Sequence, residues 1–308
     1  MTASPSLASP ADVEERFRAL GYIADRRIAT SMFLADRLGK PVLVEGPAGV
    51  GKTELAKTLA RALGTELLRL QCYEGLDEGK ALYEWAYPKQ LLYTQILREK
   101  IGEIVGDSGS LAEAVDRIAA EDSAFFSERF LLERPLLRAL RAPRRVVLLI
   151  DEVDRSEQEF EAFLLEVLSD FQVSVPELGT LTANEPPFVL LTSNNAREMT
   201  DALRRRCLHL WIDYPDAGRE RAIVQARVPE AAPALLAEVV RVVQALRGLD
   251  LKKRPSVAET IDWMRALVVL HAESLGEALV RETLSLVIKY DGDATRVLQE
   301  LPGIIGAR

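Results

Sequence analysis

Gly46-Pro47-Ala48-Gly49-Val50-Gly51-Lys52-Thr53 is the stretch whose reading decides the fold. Before it, Pro41-Val42-Leu43-Val44-Glu45 is short, apolar and β-branched, which suits a buried strand. After it, Leu55, Ala56, Leu59, Ala60 and Leu63 fall on one helical face until Gly64, where a glycine takes the left-handed cap. A G-x-x-x-x-G-K-T between a strand and a helix reads as a phosphate-binding loop. Its glycines let backbone N–H groups curl around a β-phosphate, and the helix N-terminus adds partial positive charge. Lys52 is expected to reach the β/γ oxygens, Thr53 to give its hydroxyl to Mg²⁺, and Glu54 to extend the nucleotide-contacting set.

The 308 residues suffice for one large or two smaller cores, and 48% hydrophobic with 28% charged residues is the balance of a globular chain. A net charge of −8 argues against gripping nucleic acid as the main task. Met1 to Pro10 has neither the basic start nor the apolar centre of a secretory signal and reads as a loose tail. No apolar run approaches the ~20 residues of a membrane helix. Cys72 and Cys207 are far apart and form no metal spacing with His209 and His271, so reduced cysteines and a cytoplasmic location are expected.

Two helical patterns span Ala11 to Gly39, and Glu66 to Cys72 reads as a second strand. Glu74 to Lys80 is expected to be a polar loop, and Ala81 to Arg145 mainly helical with a break at Gly106–Ser110. Val146 to Ile150 is a fully apolar strand of the buried parallel kind, ending in Asp151-Glu152. Ser156 and Glu159 suggest a capping box before a helix carrying Phe160, Leu164 and Leu168; Gln172 to Thr182 suggests a hairpin; Phe188 to Thr192 is a further strand. After a last strand, His209 to Ile212, only helical patterns remain: Gly218 to Ala226, Ala231 to Leu246, Val257 to His271 behind a Ser256/Glu259 capping box, Ser274 to Lys289, and a short final one. Hence an α/β unit over 11–212, with insertions at about 74–125 and 172–183, precedes an all-α unit over 213–308.

Aliphatic residues followed by Asp151-Glu152 match a Walker B element. Asp151 is expected to hold Mg²⁺ through its water shell, and Glu152 to accept a proton from an attacking water or orient it. Asn194, ending the next strand, offers an amide to the same water or to a γ-phosphate. Arg204, Arg205 and Arg206 follow one short segment later, where a finger could reach a neighbouring subunit's γ-phosphate; Arg206, then Arg205, are the expected fingers.

This ordered set, followed by a helical unit, resembles an AAA+ ATPase. The hairpin before the Asn194 strand, with Leu164-Leu165-Glu166-Val167-Leu168, resembles the MoxR branch. Gln71-Cys72-Tyr73-Glu74-Gly75, Tyr83-Glu84-Trp85, Leu148 to Arg155, and Arg254 to Thr260 resemble CoxD-like accessory ATPases of molybdenum-containing carbon monoxide dehydrogenase. The resemblance, over about residues 20 to 290, implies a parallel sheet with helices on both faces and a helical lid. It also implies Mg²⁺-ATP, a homo-oligomeric ring of hexamer type, a metalloenzyme client, a von Willebrand A-domain partner and a lid cation nearest Arg254. Asn195 stands where many MoxR proteins have proline.

The leading expectation is therefore ATP hydrolysis that remodels a client protein and completes its metal site. Remodelling of another enzyme, in the manner of a Rubisco activase, is one alternative. A nucleic-acid motor or loader is another, opposed by eight acids against one base between Asp151 and Asp170. A nucleotide-gated scaffold without turnover is a third. GTP is disfavoured by the absence of an Asn-Lys-x-Asp motif. Glu74 to Lys80 and Pro176 to Gly179 are the candidate client loops.

Overall fold

The computed structural model describes residues 6–96, 131–175 and 179–306. The expected break at Gly106–Ser110 and the hairpin tip at 176–178 lie outside the described residues.

Helices α1 (Pro10–Ala19) and α2 (Arg26–Leu38) lead into β1 (Val42–Glu45), and α3 (Lys52–Leu63) follows the phosphate loop. Next come β2 (Leu67–Gln71), α4 (Glu78–Leu82), β3 (Tyr83–Trp85), α5 (Tyr87–Ile96), β4 (Leu131–Glu133) and α6 (Pro135–Arg141). β5 (Val147–Asp151), α7 (Gln158–Asp170), the hairpin β6 (Gln172–Val175) and β7 (Gly179–Thr182), β8 (Phe188–Ser193), α8 (Asp201–Arg206) and β9 (Leu208–Trp211) complete the α/β part. From there the chain is helical: α9 (Ala217–Arg227), α10 (Pro233–Gly248), α11 (Val257–Val269), α12 (Glu277–Thr283) and α13 (Asp291–Gly306). No described helix is long and apolar enough to cross a membrane.

Five strands form one sheet in the order β2-β5-β8-β1-β9, every pair parallel. Period-2 alternation makes each central strand feed two cores. Leu148 and Ile150 of β5, with Val189 and Leu191 of β8, pack with Leu136, Leu140, Phe160 and Leu164 of α6 and α7. Val147, Leu149 and Leu190 point the other way, onto Phe17, Ile28, Met32, Leu55 and Leu59 of α1 to α3. Both faces being covered explains why these strands read as unbroken apolar runs.

Several local expectations change. Leu7, in the stretch expected to be a loose tail, is fully buried, and its N–H donates to Asp36 at 2.8 Å. Ser156 does not cap α7: its hydroxyl donates to the Val153 carbonyl, and Glu157 takes the N-cap position without a side-chain bond. The Ser256/Glu259 box does form. The stretch read as mainly helical contains the β3–β4 pair, Glu74 to Lys80 runs into α4, and the pattern over Ser274 to Lys289 ends its α-helix at Thr283. The final helix is not short but 16 residues long, with Pro302 inside.

The helical part has its own core around Trp263, Val239 and Leu267. Beside it lies a buried ion pair: Glu220 is wholly buried, and Arg247 donates to both its oxygens at 2.6 and 2.7 Å. Thr260 and Gln244 add 2.8 and 2.7 Å bonds to Glu220. Arg247 also donates to the Pro255 carbonyl at 2.7 Å and lies over the Tyr214 ring, so this network fixes both the connection into the lid and the segment that starts α11. Breaking one side of such a pair costs about 3–5 kcal/mol, whereas replacing both sides with apolar groups is near neutral. Arg247→Met is therefore expected to lower unfolding stability by about that amount, with Glu220→Leu/Arg247→Met recovering most of it in urea titrations. A single variant as stable as the parent would contradict this account of the network.

Candidate active site

Because the sheet is parallel, the carboxyl ends of its strands share one edge, where ligands bind in open α/β folds. β1 delivers the phosphate loop, β5 delivers Asp151 and Glu152, and β8 delivers Asn194. Gly46, with φ of 148°, could not carry a side chain: an added Cβ would come within 1.9 Å of the Ile212 carbonyl oxygen.

Lys52 is buried at the centre. Its ammonium donates to the carbonyls of Gly46 and Pro47 at 2.7 and 2.8 Å and to Asn194 Oδ1 at 2.8 Å. Burial pulls its pKa down to about 8, against the opposing pull of Asp154, Asp151 and Glu152. Thr53 Oγ1 donates to Asp151, 3.2 Å from each carboxylate oxygen. Thr192 donates to Asp151 Oδ1, and its hydroxyl accepts the Glu152 N–H at 2.9 Å. Glu152 itself sits at φ 56°, a left-handed conformation that turns its side chain off the strand direction. Asp154 accepts the N–H groups of Asn194 and Ala196 at 3.0 and 2.9 Å, holding the turn that presents the amide. Asn195 has φ of 60°, which a proline ring cannot adopt, so the departure at this position is a conformational one.

Two adjoining clefts meet over the loop. One, of about 310 Å³, is lined by Ala48, Lys52, Thr53, Asp151, Glu152 and Asn194. The other, of about 270 Å³, is lined by Tyr22, Ile23, Val50, Ile223 and Ile261. Gly49, Gly51, Glu54 and Ala258 border both, so a polar cleft suited to phosphate adjoins one whose Tyr22, Val50 and Ile261 walls suit a base and whose rim carries Arg219, Arg227 and Arg265. Glu54 is bound to Arg227 at 2.6 Å, and Arg219 to Asp25, so two bridges span the base end from α9. The lid touches the loop directly: Ala258 N–H donates to the Gly49 carbonyl at 3.2 Å.

Not every expected residue joins this cluster. Arg254 is exposed and borders neither cleft. Arg204 is committed to the buried Glu45 at 3.1 Å. Arg205 and Arg206 are exposed, and among the described residues their side chains make no hydrogen bond or ion pair. Residues that sequence reasoning missed are Arg69 and Gln71 of β2, which bond Asp151 and Glu152 respectively, and Thr192, Asp154, Arg219 and Arg227. The roles of the first two follow only from the pairing of β2 with β5, which sets Gln71 opposite Asp151.

Residues 42–213 match the family described as ATPase family associated with various cellular activities (AAA). The chain belongs to the AAA family. It is 26% identical over 231 residues to the denitrification regulatory protein NirQ of Stutzerimonas stutzeri, covering 72% of this chain and 69% of that one. NirQ of Pseudomonas aeruginosa is 24% identical over 250 residues, 79% of each. A solved point mutant of Thermotoga maritima RuvB superposes with a TM-score of 0.50 at 17% identity, covering 99% of this AAA chain and 81% of that one, a likeness of fold alone.

Membership makes the chain an ATP hydrolase, with ATP as nucleotide, Mg²⁺ as its usual metal and oligomeric assembly as the family habit. The donors here fit that metal. Among the described residues no three His, Cys, Asp or Glu side chains gather, whereas Thr53 and Asp151 offer a hydroxyl beside one carboxylate. Mg²⁺ takes such a sparse oxygen set, completing its shell with phosphate and water.

A bound phosphate would favour the charged form of Lys52, so above pH 8 binding must take up a proton. ATP affinity is expected to fall by about one order of magnitude between pH 8 and 9.5, with proton uptake visible by calorimetry in buffers of different ionisation enthalpy. A flat profile across that window would show that Lys52 does not titrate there.

Proposed function

We propose that this AAA chain is a MoxR-type remodelling ATPase that works as a hexameric ring and uses ATP hydrolysis to act on a client protein. The observation that carries this reading is the split of the catalytic set. Lys52, Thr53, Asp151, Glu152 and Asn194 border one cleft, while Arg205 and Arg206 stand exposed outside it, without a partner among the described residues. Two such arginines suit a site completed by a neighbour.

In this reading Thr53 would hold Mg²⁺ through its hydroxyl and Asp151 through the metal's water shell, and the metal would supply charge neutralisation on the phosphates. Lys52 binds the β/γ oxygens, and Asn194, already bonded to Lys52, orients the γ-phosphate or the water. Glu152 orients that water and takes its proton. Arg206 of the next subunit, or Arg205, stabilises the charge that develops on the transferred group. The adjoining cleft, walled by Tyr22, Val50 and Ile261, suits adenine.

The client is read from resemblance. The motifs around Gln71 to Gly75, Tyr83 to Trp85 and Arg254 to Thr260 favour an accessory ATPase that completes a metal site, with a molybdenum-containing carbon monoxide dehydrogenase as first candidate and a von Willebrand A-domain protein as partner. The similarity to two denitrification regulatory proteins supplies another client context for the same machinery.

Glu152→Gln is expected to bind Mg²⁺-ATP and lower turnover by about 10²- to 10⁴-fold. Isolated with ATP from its own cells, it should retain the client; recovery of a metalloenzyme or an A-domain protein supports the proposal, and recovery of nucleic acid or replication proteins would replace it with a motor function. Arg206→Ala is expected to keep ATP binding and lose about 10³-fold or more in turnover, with activity partly restored on mixing with Lys52→Ala subunits. Near-normal hydrolysis by the pure Arg206 variant would remove that residue from the site.

A further inference from the structure

The carboxylates at the end of β5 are engaged from the neighbouring strand as well as from the phosphate loop, whose Thr53 lies 3.2 Å from each Asp151 oxygen. Arg69, on the adjacent edge strand β2, donates from Nε at 2.9 Å and from Nη2 at 2.6 Å to one oxygen, Oδ2, of Asp151. Asp151 is almost fully buried, while Arg69 is half exposed. The other oxygen, Oδ1, takes the Thr192 hydroxyl. Arg69 is aimed by Gln71, two residues on and therefore on the same face of the strand; Gln71 Oε1 accepts from Arg69 Nη2. The Gln71 amide in turn donates to Glu152 Oε2 at 3.2 Å. A guanidinium and an amide thus brace the two neighbouring carboxylates from outside the cleft.

A cation forked onto one carboxylate oxygen neutralises the charge that would attract a metal ion to it. It also screens that charge from an incoming polyphosphate. These two effects oppose each other in what they do to nucleotide binding, which makes them separable by experiment. We propose that Arg69 is a positioning residue that sets the magnesium requirement of the site, competing with Mg²⁺ for Asp151 while easing the approach of metal-free nucleotide. The inference rests on the reading of Asp151 as the magnesium carboxylate but not on any choice of client.

The test is equilibrium binding of a fluorescent, non-hydrolysable ATP analogue to the full chain, titrated with Mg²⁺ and separately in EDTA. Arg69→Gln is expected to lower the half-saturating Mg²⁺ concentration by about 3- to 10-fold, because the guanidinium no longer offsets the Asp151 charge that draws the metal, and to weaken analogue binding in EDTA by a similar factor. Opposite signs in the two titrations are the signature, since general damage to the fold would weaken both. An unchanged magnesium requirement in folded Arg69→Gln, or a loss in both titrations, overturns the proposal. If Arg69→Gln fails to fold, Arg69→Lys is read the same way: it keeps the charge but loses the fork, so a smaller shift of the same two signs is expected and no shift overturns it. Asp151→Asn separates the underlying reading. Should it keep the parental magnesium dependence, Asp151 is not the magnesium carboxylate; should it lose that dependence while Arg69→Gln stays parental, only the role of Arg69 falls.

Discussion

Parallel pairing of five strands forces every carboxyl end onto one edge of the sheet, and the phosphate chemistry of this chain depends on that edge. The order β2-β5-β8-β1-β9 sets β1 beside β8, although most of the α/β part separates them along the chain. Only because the two strands run together can Lys52, at the head of α3, bond Asn194 at the end of β8. The same edge brings Gln71 into register with Asp151. Burial on both faces holds this alignment, since moving β5 by one residue would turn Leu148 and Ile150 out of one core and Val147 and Leu149 out of the other.

The lid is held by a different kind of force. Its own core is apolar, but its attachment is polar: the Glu220–Arg247 pair reaches Tyr214 on one side and Pro255 on the other, while Arg219 and Arg227 bridge to Asp25 and Glu54. The partly exposed bridges yield more readily than the buried pair, so the contacts that close the base cleft are weaker than those that keep the lid intact.

Much of this was legible in the residues themselves. The phosphate loop, Asp151-Glu152 and Asn194 could be read because each follows an apolar strand, and the strands are apolar because helices cover both faces. What could not be read depends on partners distant in sequence. Ser156 has the spacing of a helix cap, yet its hydroxyl finds the Val153 carbonyl in the tight turn after Asp151. Arg69 looks like an ordinary edge-strand charge until β5 is set beside β2. The arginine run looks uniform, and only the buried Glu45 separates Arg204 from Arg205 and Arg206. The backbone of Ala258 and the side chain of Ser256, which carry no charge to mark them in the sequence, are what meets the loop.

That meeting has an electrical side. The Gly49 carbonyl accepts a hydrogen bond from Ala258, and a peptide group whose oxygen is so engaged becomes a stronger donor at its nitrogen, by about 10–30% per bond. The N–H of that peptide belongs to Val50, one of the amides in the curl of the phosphate loop. An added Cβ at Gly49 would lie 2.5 Å from the Ser256 hydroxyl, so nothing cushions the two segments. The lid therefore tunes the dipole of the anion cradle as well as covering it: displacing α11 by an ångström would weaken the pull on phosphate even if the loop kept its shape.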